Sequence, residues 1–277
     1  MQGEKTALIV EGGAMRGIFA AGVLDSFLEN NFDPFDMYIG VSAGALNLSS
    51  YLANMHGRNY NIFMNYTANK NCMSISKFLK GGHFLDLDWL WERTIEECRL
   101  DLNRIFKDDP EYLIGITDCD TGTIKYVIPD KDNLEGYLKA SSAMPIVYRN
   151  DLCFNGVRYI DGGLAEPIPV IEAHKRGATK IIVIRSKPPH YKMKPASKVT
   201  KWVFRKMPNV KLAIDQRKER YQKAIEFIAS PPENVKVYDI YPSSDFAVSR
   251  FTKDRKLLEQ GYRIGLEEGK RLLESWE

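Results

Sequence analysis

The run IGVSAGAL, residues 39–46, decides how the chain is read. Gly40, Ser42 and Gly44 place a serine between two glycines, each two positions away. Upstream, FDMYIGV (35–41) is a short apolar run of strand character. Downstream, ALNLSSYLANMHG (45–57) has helical spacing and stops near Gly57. A serine on such a strand-to-helix turn projects its hydroxyl clear of the backbone. The crowded turn needs residues without a side chain on either side, and the N–H groups of the following helix favour developing negative charge. Two readings follow, a nucleophile elbow and a structural Gly-rich turn. A serine nucleophile normally has a histidine base, and the chain holds four histidines, His56, His83, His174 and His190.

Working outward, KTALIVEGG (5–13) repeats the strand-then-glycine pattern. GIFAAGVLDSFLEN (17–30) follows it with Ile18, Ala21, Leu24 and Leu28 at helical spacing. Two successive strand–turn–helix units predict parallel strands joined by right-handed crossovers, hence an α/β fold. Residues 58–110 are irregular, with helical pieces in FLKGGHFLDLDWLWERTIEE and with His83 as a candidate for the wall of a cleft. EYLIGITDCDTGTIKYVIP reads as a hairpin about Asp120-Thr121-Gly122. LCFNGVRYIDGG reads as a second about Asn155-Gly156. The segments LEGYLKASSAM, PVIEAHKRG, VKLAIDQRKERYQKAIEFIAS and DRKLLEQGYRIGLEEGKRLLESW are predicted helices, and TKIIVIRS and VKVYDIYP predicted strands. In the last helix Gly261, Gly265 and Gly269 recur every fourth residue, which suits close packing. With no repeat, low-complexity tract or linker, residues 1–277 are expected to form one domain.

Two further motifs carry chemistry. EGGAMRG (11–17) is a Gly-rich loop opening a helix, able to aim N–H donors at an oxyanion, with Arg16 adding positive charge. It lacks the GxxxxGK[ST] of a phosphate-binding loop, and Ala14 stands at the middle glycine of a dinucleotide fingerprint. YIDGG (159–163) puts Asp161 at a strand end before Gly162 and Gly163; the aspartate is either chemical or a turn and capping group.

The order GGxxRG, GxSxG, DGG, with SSAMP (141–145) between serine and aspartate, resembles the patatin-like phospholipases over nearly the whole chain. The resemblance implies a three-layer α/β/α sandwich with a mostly parallel central sheet. It also implies a lipid acyl hydrolase with a Ser–Asp dyad, no histidine, no cofactor and no metal. Carried over, Ser42 is the nucleophile and Asp161 the base. The loop Gly12, Gly13, Ala14, Met15, Arg16 and Gly17 forms and supports the oxyanion hole, Gly40 and Gly44 frame the elbow, and Gly162 and Gly163 form the aspartate loop. One departure is that Ala14 stands where the family has a third successive glycine. Two alternatives remain: a Ser42–Asp161–His174 triad, since that chain order also occurs in α/β-hydrolases, and a non-catalytic lipid- or protein-binding member of the fold.

Charge is unevenly spread. Residues 185–223 hold thirteen Lys/Arg against Asp215 and Glu219, a net +11, which leaves −8 on the rest of a +3 chain. The segment KVTKWVFRKMPNVK reads either as a core-facing helix with a solvated basic face or as a peripheral contact with an anionic membrane through Lys201, Trp202, Phe204, Arg205 and Lys206. No nucleic-acid motif accompanies the charge. Cys72, Cys98, Cys119 and Cys153 form no CxxC pair, and Asp86/Asp88 and Asp118/Asp120 read as solvated loop carboxylates rather than metal ligands. The polar N-terminus and the lack of an apolar run of about 18 residues predict a cytoplasmic protein, with membrane contact only at its periphery.

Overall fold

The computed structural model describes residues 4–276. Met1–Gly3, the start of the polar N-terminus, and Glu277 lie outside the described residues. In chain order the elements are β1 (Thr6–Val10), α1 (Gly17–Glu29), β2 (Met37–Val41) and α2 (Ala43–Leu52). Next come α3 (Arg58–Asn61), a π-helical stretch Ile62–Thr67, α4 (Ile75–Leu79), α5 (Leu87–Cys98) and α6 (Leu102–Ile105). They are followed by β3 (Glu111–Asp118), β4 (Ile124–Val127), α7 (Leu134–Ser142), β5 (Leu152–Phe154), β6 (Val157–Asp161) and α8 (Val170–Lys175). The chain closes with β7 (Lys180–Ile184), α9 (Lys198–Val203), α10 (Pro208–Ala229), β8 (Lys236–Ile240) and α11 (Arg255–Ser275).

The strands form one sheet in the order β5-β6-β3-β2-β1-β7-β8, with β4 also paired to β3. From β3 to β8 the pairings are parallel, while β4, β5 and β6 join antiparallel. The parallel strands are buried on both faces, and alternate side chains enter two cores. Leu8, Val10, Tyr38, Tyr112, Ile114, Ile182 and Ile184 pack with α1, α2, α7 and α11. Ala7, Ile9, Met37, Ile39, Leu113, Ile181 and Val183 pack with α8 and α10. The result is the expected three-layer α/β/α arrangement. Both hairpins form as read, and Asn155 and Gly156 (φ 52° and 78°) have the positive dihedrals that a two-residue hairpin turn needs.

Register on β3 positions the site. β3 pairs with β2 up to Val41↔Gly115 and with β6 from Asp161↔Ile116. β4 covers Ile114–Thr117 of β3, so β2 and β6 share the opposite edge. The last residue of β2 and the last of β6 therefore face consecutive residues of β3, and Ser42 emerges beside Asp161.

The spaced glycines of α11 do allow close packing. A Cβ on Gly265 would lie 2.1 Å from the Phe19 carbonyl oxygen, and one on Gly22 of α1 would lie 2.1 Å from the Tyr262 carbonyl oxygen. Among the described residues no helix is long and apolar enough to cross a membrane.

Candidate active site

Ser42 has φ 55° and ψ −129°, a backbone state that costs a non-glycine residue about 1–3 kcal/mol. Its surroundings impose it. A Cβ on Gly40 would sit 2.5 Å from Ala45 Cα, and one on Gly44 would sit 2.2 Å from the Val10 carbonyl oxygen. Strand, turn and helix are thus packed too tightly for any other residue at either glycine. α2 starts at Ala43, earlier than its pattern predicts, because the Ser42 carbonyl accepts the N–H groups of Ala45 and Leu46 and draws Gly44 into the first turn. The Ser42 N–H donates to Ser141 Oγ (2.7 Å), which donates to the Gly115 carbonyl (2.7 Å). Ser141 is fully buried and ties the elbow to β3. In the sequence it stands out only as part of SSAMP (141–145).

Ser42 Oγ donates to Asp161 Oδ2 at 2.9 Å, and the Gly163 N–H donates to Asp161 Oδ1 at 2.7 Å. Thr117 Oγ1 holds the Asp161 carbonyl (2.9 Å), and the Asp161 N–H donates to the Ala143 carbonyl (3.0 Å). A Cβ on Gly162 would come within 2.1 Å of the Gly115 carbonyl oxygen, so the aspartate loop lies flat on β3. Burial pushes the Asp161 carboxyl above its ordinary range. The bonds from Ser42 and Gly163 and the charges of Arg217 and Arg250 pull the other way without cancelling it.

The Gly-rich loop passes directly beside the elbow: a Cβ on Gly12 would lie 2.9 Å from the Val41 carbonyl oxygen and 3.1 Å from Ser42 Cβ. Ala14 keeps a positive φ of 50°, the region a glycine would prefer, and with Met15 it lines the same cavity as Ser42. Among the described residues the N–H groups of Gly12, Gly13 and Ala14 donate to no protein acceptor. The Met15 N–H donates to the Arg250 carbonyl (3.3 Å) and the Arg16 N–H to the Gly13 carbonyl (3.2 Å). The Gly17 carbonyl accepts Asn47 Nδ2 (2.8 Å), which fixes the start of α1 to α2.

Beneath the loop lies a buried network that no sequence signal announced. Glu11 Oε1 pairs with the Lys187 ammonium, and Glu11 Oε2 accepts the Ser186 N–H (2.7 Å). Ser186 Oγ in turn donates to the Gly12 carbonyl (3.2 Å). Burial alone would raise the Glu11 carboxyl, but the Lys187 charge and the Ser186 N–H outweigh it and hold it below its ordinary range. The same burial pushes the Lys187 ammonium down to about 8.

From Ser42 an apolar cavity extends between α2, the π-helical stretch, α5 and α7. Leu46, Ile62, Phe63, Leu87, Leu90 and Leu138 are in its wall, and Arg250 and Phe251 stand beside Met15. Such a lining suits a hydrocarbon chain.

Other predicted residues lie elsewhere. His174 is at the end of α8 with its ring against Phe227, while both Asp161 carboxylate oxygens are taken by Ser42 and Gly163. His56 bonds Glu29 (3.1 Å). His83 stacks on Tyr148 and accepts the Arg149 N–H instead of lining the cavity. Asp86 and Asp88 are not merely solvated. Asp86 caps α5 and pairs with Lys77, whereas Asp88 is held by Lys139, Tyr148 and Asn150. With His83 they come within 4.8 Å of one another. In the basic segment Trp202 is exposed and the Arg205 guanidinium lies over its ring at 4.0 Å, but Lys201 is paired with Asp215 (2.6 Å). Phe204 corrects an expectation. It is buried with Cys119, Ile160, Val210 and Ile214, because α9 ends at Val203 and the tighter turn Phe204–Lys206 swings its ring inward.

Comparison with known proteins adds two family matches. The model described as "Patatin-like phospholipase" matches residues 8–174, and "Domain of unknown function (DUF6363)" matches residues 207–277. The chain is similar to "Uncharacterized protein YjjU" of Escherichia coli (strain K12), 34% identical over 268 residues, covering 94% of this chain and 75% of that protein. It is 25% identical over 301 residues to "Lysophospholipase NTE1" of Candida albicans, covering all of this chain but 20% of that protein. It is also 26% identical over 182 residues to "Probable lipid hydrolase 463L" of Invertebrate iridescent virus 6, covering 59% and 61% of the two chains.

Proposed function

The chain belongs to the patatin-like phospholipase family, and on that premise we propose that it is a lipid acyl hydrolase working through a Ser42–Asp161 dyad. The observation that carries the reading is the 2.9 Å hydrogen bond from Ser42 Oγ to Asp161 Oδ2, made by a serine held in an elbow at the end of β2. Ser42 Oγ attacks the carbonyl carbon of a carboxylic ester while its proton passes to Asp161 Oδ2. The tetrahedral oxyanion is received by the N–H groups of Gly12, Gly13 and Ala14, which donate to no protein acceptor among the described residues. Asp161 returns the proton to the leaving alcohol, and the acyl chain stays on Ser42 with its hydrocarbon in the apolar cavity. Water, deprotonated by the same carboxylate, then releases the acid.

An aspartate is ordinarily a weak base for a hydroxyl, with a pKa of about 3.9. Burial, the dominant influence on Asp161, moves it toward a better match. The exposed Trp202 and the adjacent Arg205 and Lys206 support transient contact with an anionic lipid surface. We read residues 1–277 as one functional unit.

The test is hydrolysis of p-nitrophenyl esters of graded chain length. Ser42→Ala removes turnover, Asp161→Asn lowers kcat by about 10²–10⁴-fold, and His174→Ala keeps the wild-type rate. Loss of activity in a folded His174→Ala would favour the triad. Absence of turnover in the wild type on esters presented with vesicles would favour a binding protein.

A further inference from the structure

Residues 207–277, the part matched by a family model with no assigned function, touch both loops of the Ser42 site. α10 crosses the aspartate loop. Arg217 Nε donates to the Gly163 carbonyl, and one turn on Arg220 Nη1 donates to the Ala165 carbonyl (3.0 Å). The loop before α11 reaches the other side of the site, where the Arg250 carbonyl accepts the Met15 N–H (3.3 Å). α11 then locks against α1, the helix that the Gly-rich loop opens, through the Gly22–Gly265 approach.

Gly163 has no side chain to anchor it, so its place is set by its backbone bonds. Its N–H holds Asp161 Oδ1, which leaves Oδ2 to Ser42. The half-buried Arg217 grips its carbonyl. Resting on the hydrolase reading above, we propose that the C-terminal segment sets the geometry of both catalytic loops, with Arg217 as a positioning residue that fixes the Asp161 carboxylate toward Ser42. The segment is then part of the active site's frame and not an appended module.

Arg217 also acts by charge. Besides its bonds to Ser42 and the Gly163 N–H, Asp161 feels the charges of Arg217 and Arg250, while Arg217 feels those of Asp161, Arg250, Glu11 and Lys187 and the Tyr191 hydroxyl. Removing the Arg217 charge leaves the bonds from Ser42 and Gly163 and the charge of Arg250 to oppose the effect of burial, so Asp161 rises further. The acid limb of the pH–rate profile moves to higher pH. A residue that merely supported the fold would not move that limb.

The experiment measures kcat and KM across pH on a short-chain p-nitrophenyl ester, with thermal unfolding of each variant as the control for folding. Arg217→Gln is expected to lower kcat by about tenfold to a hundredfold at nearly unchanged KM and to shift the acid limb upward. Arg217→Lys keeps the limb near the wild-type position but restores kcat only in part, because an ammonium lacks the planar fork. Arg220→Gln, whose guanidinium does not face Asp161, leaves the limb in place. A folded Arg217→Gln with wild-type kcat and limb overturns the proposal. If Arg217→Gln does not fold, Arg217→Lys decides: reduced kcat supports the role and wild-type kcat overturns it. Ser42→Ala run alongside separates the two failures. Turnover independent of Ser42 removes the hydrolase reading and the role with it, whereas Ser42-dependent turnover unaffected at Arg217 removes only the role.

Discussion

Asp161 is a carboxylate placed where an amide would be more comfortable. Only 8% of its surface is exposed, and burial raises its titration above the usual range. Folding therefore favours the protonated form. The favourable contribution is complete below the unfolded value of about 3.9 and is lost as pH rises through the folded value. Asp161→Asn keeps the shape and never ionises. It is expected to match the wild type in stability in acid and to exceed it near neutral pH, the gap opening across that interval in thermal melts at several pH values. Equal stability at neutral pH would mean that the bonds from Ser42 and Gly163 and the charges of Arg217 and Arg250 fully offset the burial. Ser42 and Asp161 were legible in the sequence because glycines flank each in a short motif, although, while Gly40 is required by a near neighbour, Ala45, Gly44 is pressed by Val10 and Gly162 by Gly115. Glu11, Lys187 and Arg217 were not. Glu11 and Lys187 are joined across 176 positions and Arg217 and Gly163 across 54, and no spacing rule reaches that far.

At the scale of elements, helix starts were legible to within a few residues and faces less so. α10 begins at Pro208, where a proline suits the first helical turn, two residues before its apolar pattern starts. The segment KVTKWVFRKMPNVK read as one amphipathic stretch, but α9 has only six residues and the turn after it rotates the chain. Trp202 and Phe204 therefore part, one outward and one into the core, a division that depends on the packing of Val210 and Ile214 from α10. With Trp202 exposed under Arg205, α9 is expected to bind vesicles containing anionic lipid. Trp202→Ala weakens that binding, and added salt weakens it further. Sedimentation that is equal with neutral and anionic vesicles, or unchanged in Trp202→Ala, would remove membrane contact from the account.

At the scale of the whole molecule, the parallel strands followed from two strand–turn–helix units, and the three-layer sandwich from the family resemblance, in keeping with the need of parallel strands for covered faces. Sheet order did not follow, because it is fixed by pairings between distant strands. The decisive one is on β3, where Gly115 ends the pairing with β2 and Ile116 begins that with β6. That single step of register brings together residues 119 positions apart. The C-terminal helices complete the arrangement from outside, α10 on the aspartate loop and α11 on α1.

The central claim is that Ser42 is a nucleophile activated by Asp161 alone. It is tested most directly by labelling with a fluorophosphonate probe, in which Ser42 Oγ bonds to phosphorus and fluoride leaves, followed by peptide mass mapping. An adduct on Ser42 is expected in the wild type and none in Ser42→Ala. Labelling is expected to slow about 10²–10⁴-fold in Asp161→Asn and to stay unchanged in His174→Ala. An adduct at another residue, or Asp161→Asn reacting as fast as the wild type, would contradict the central claim.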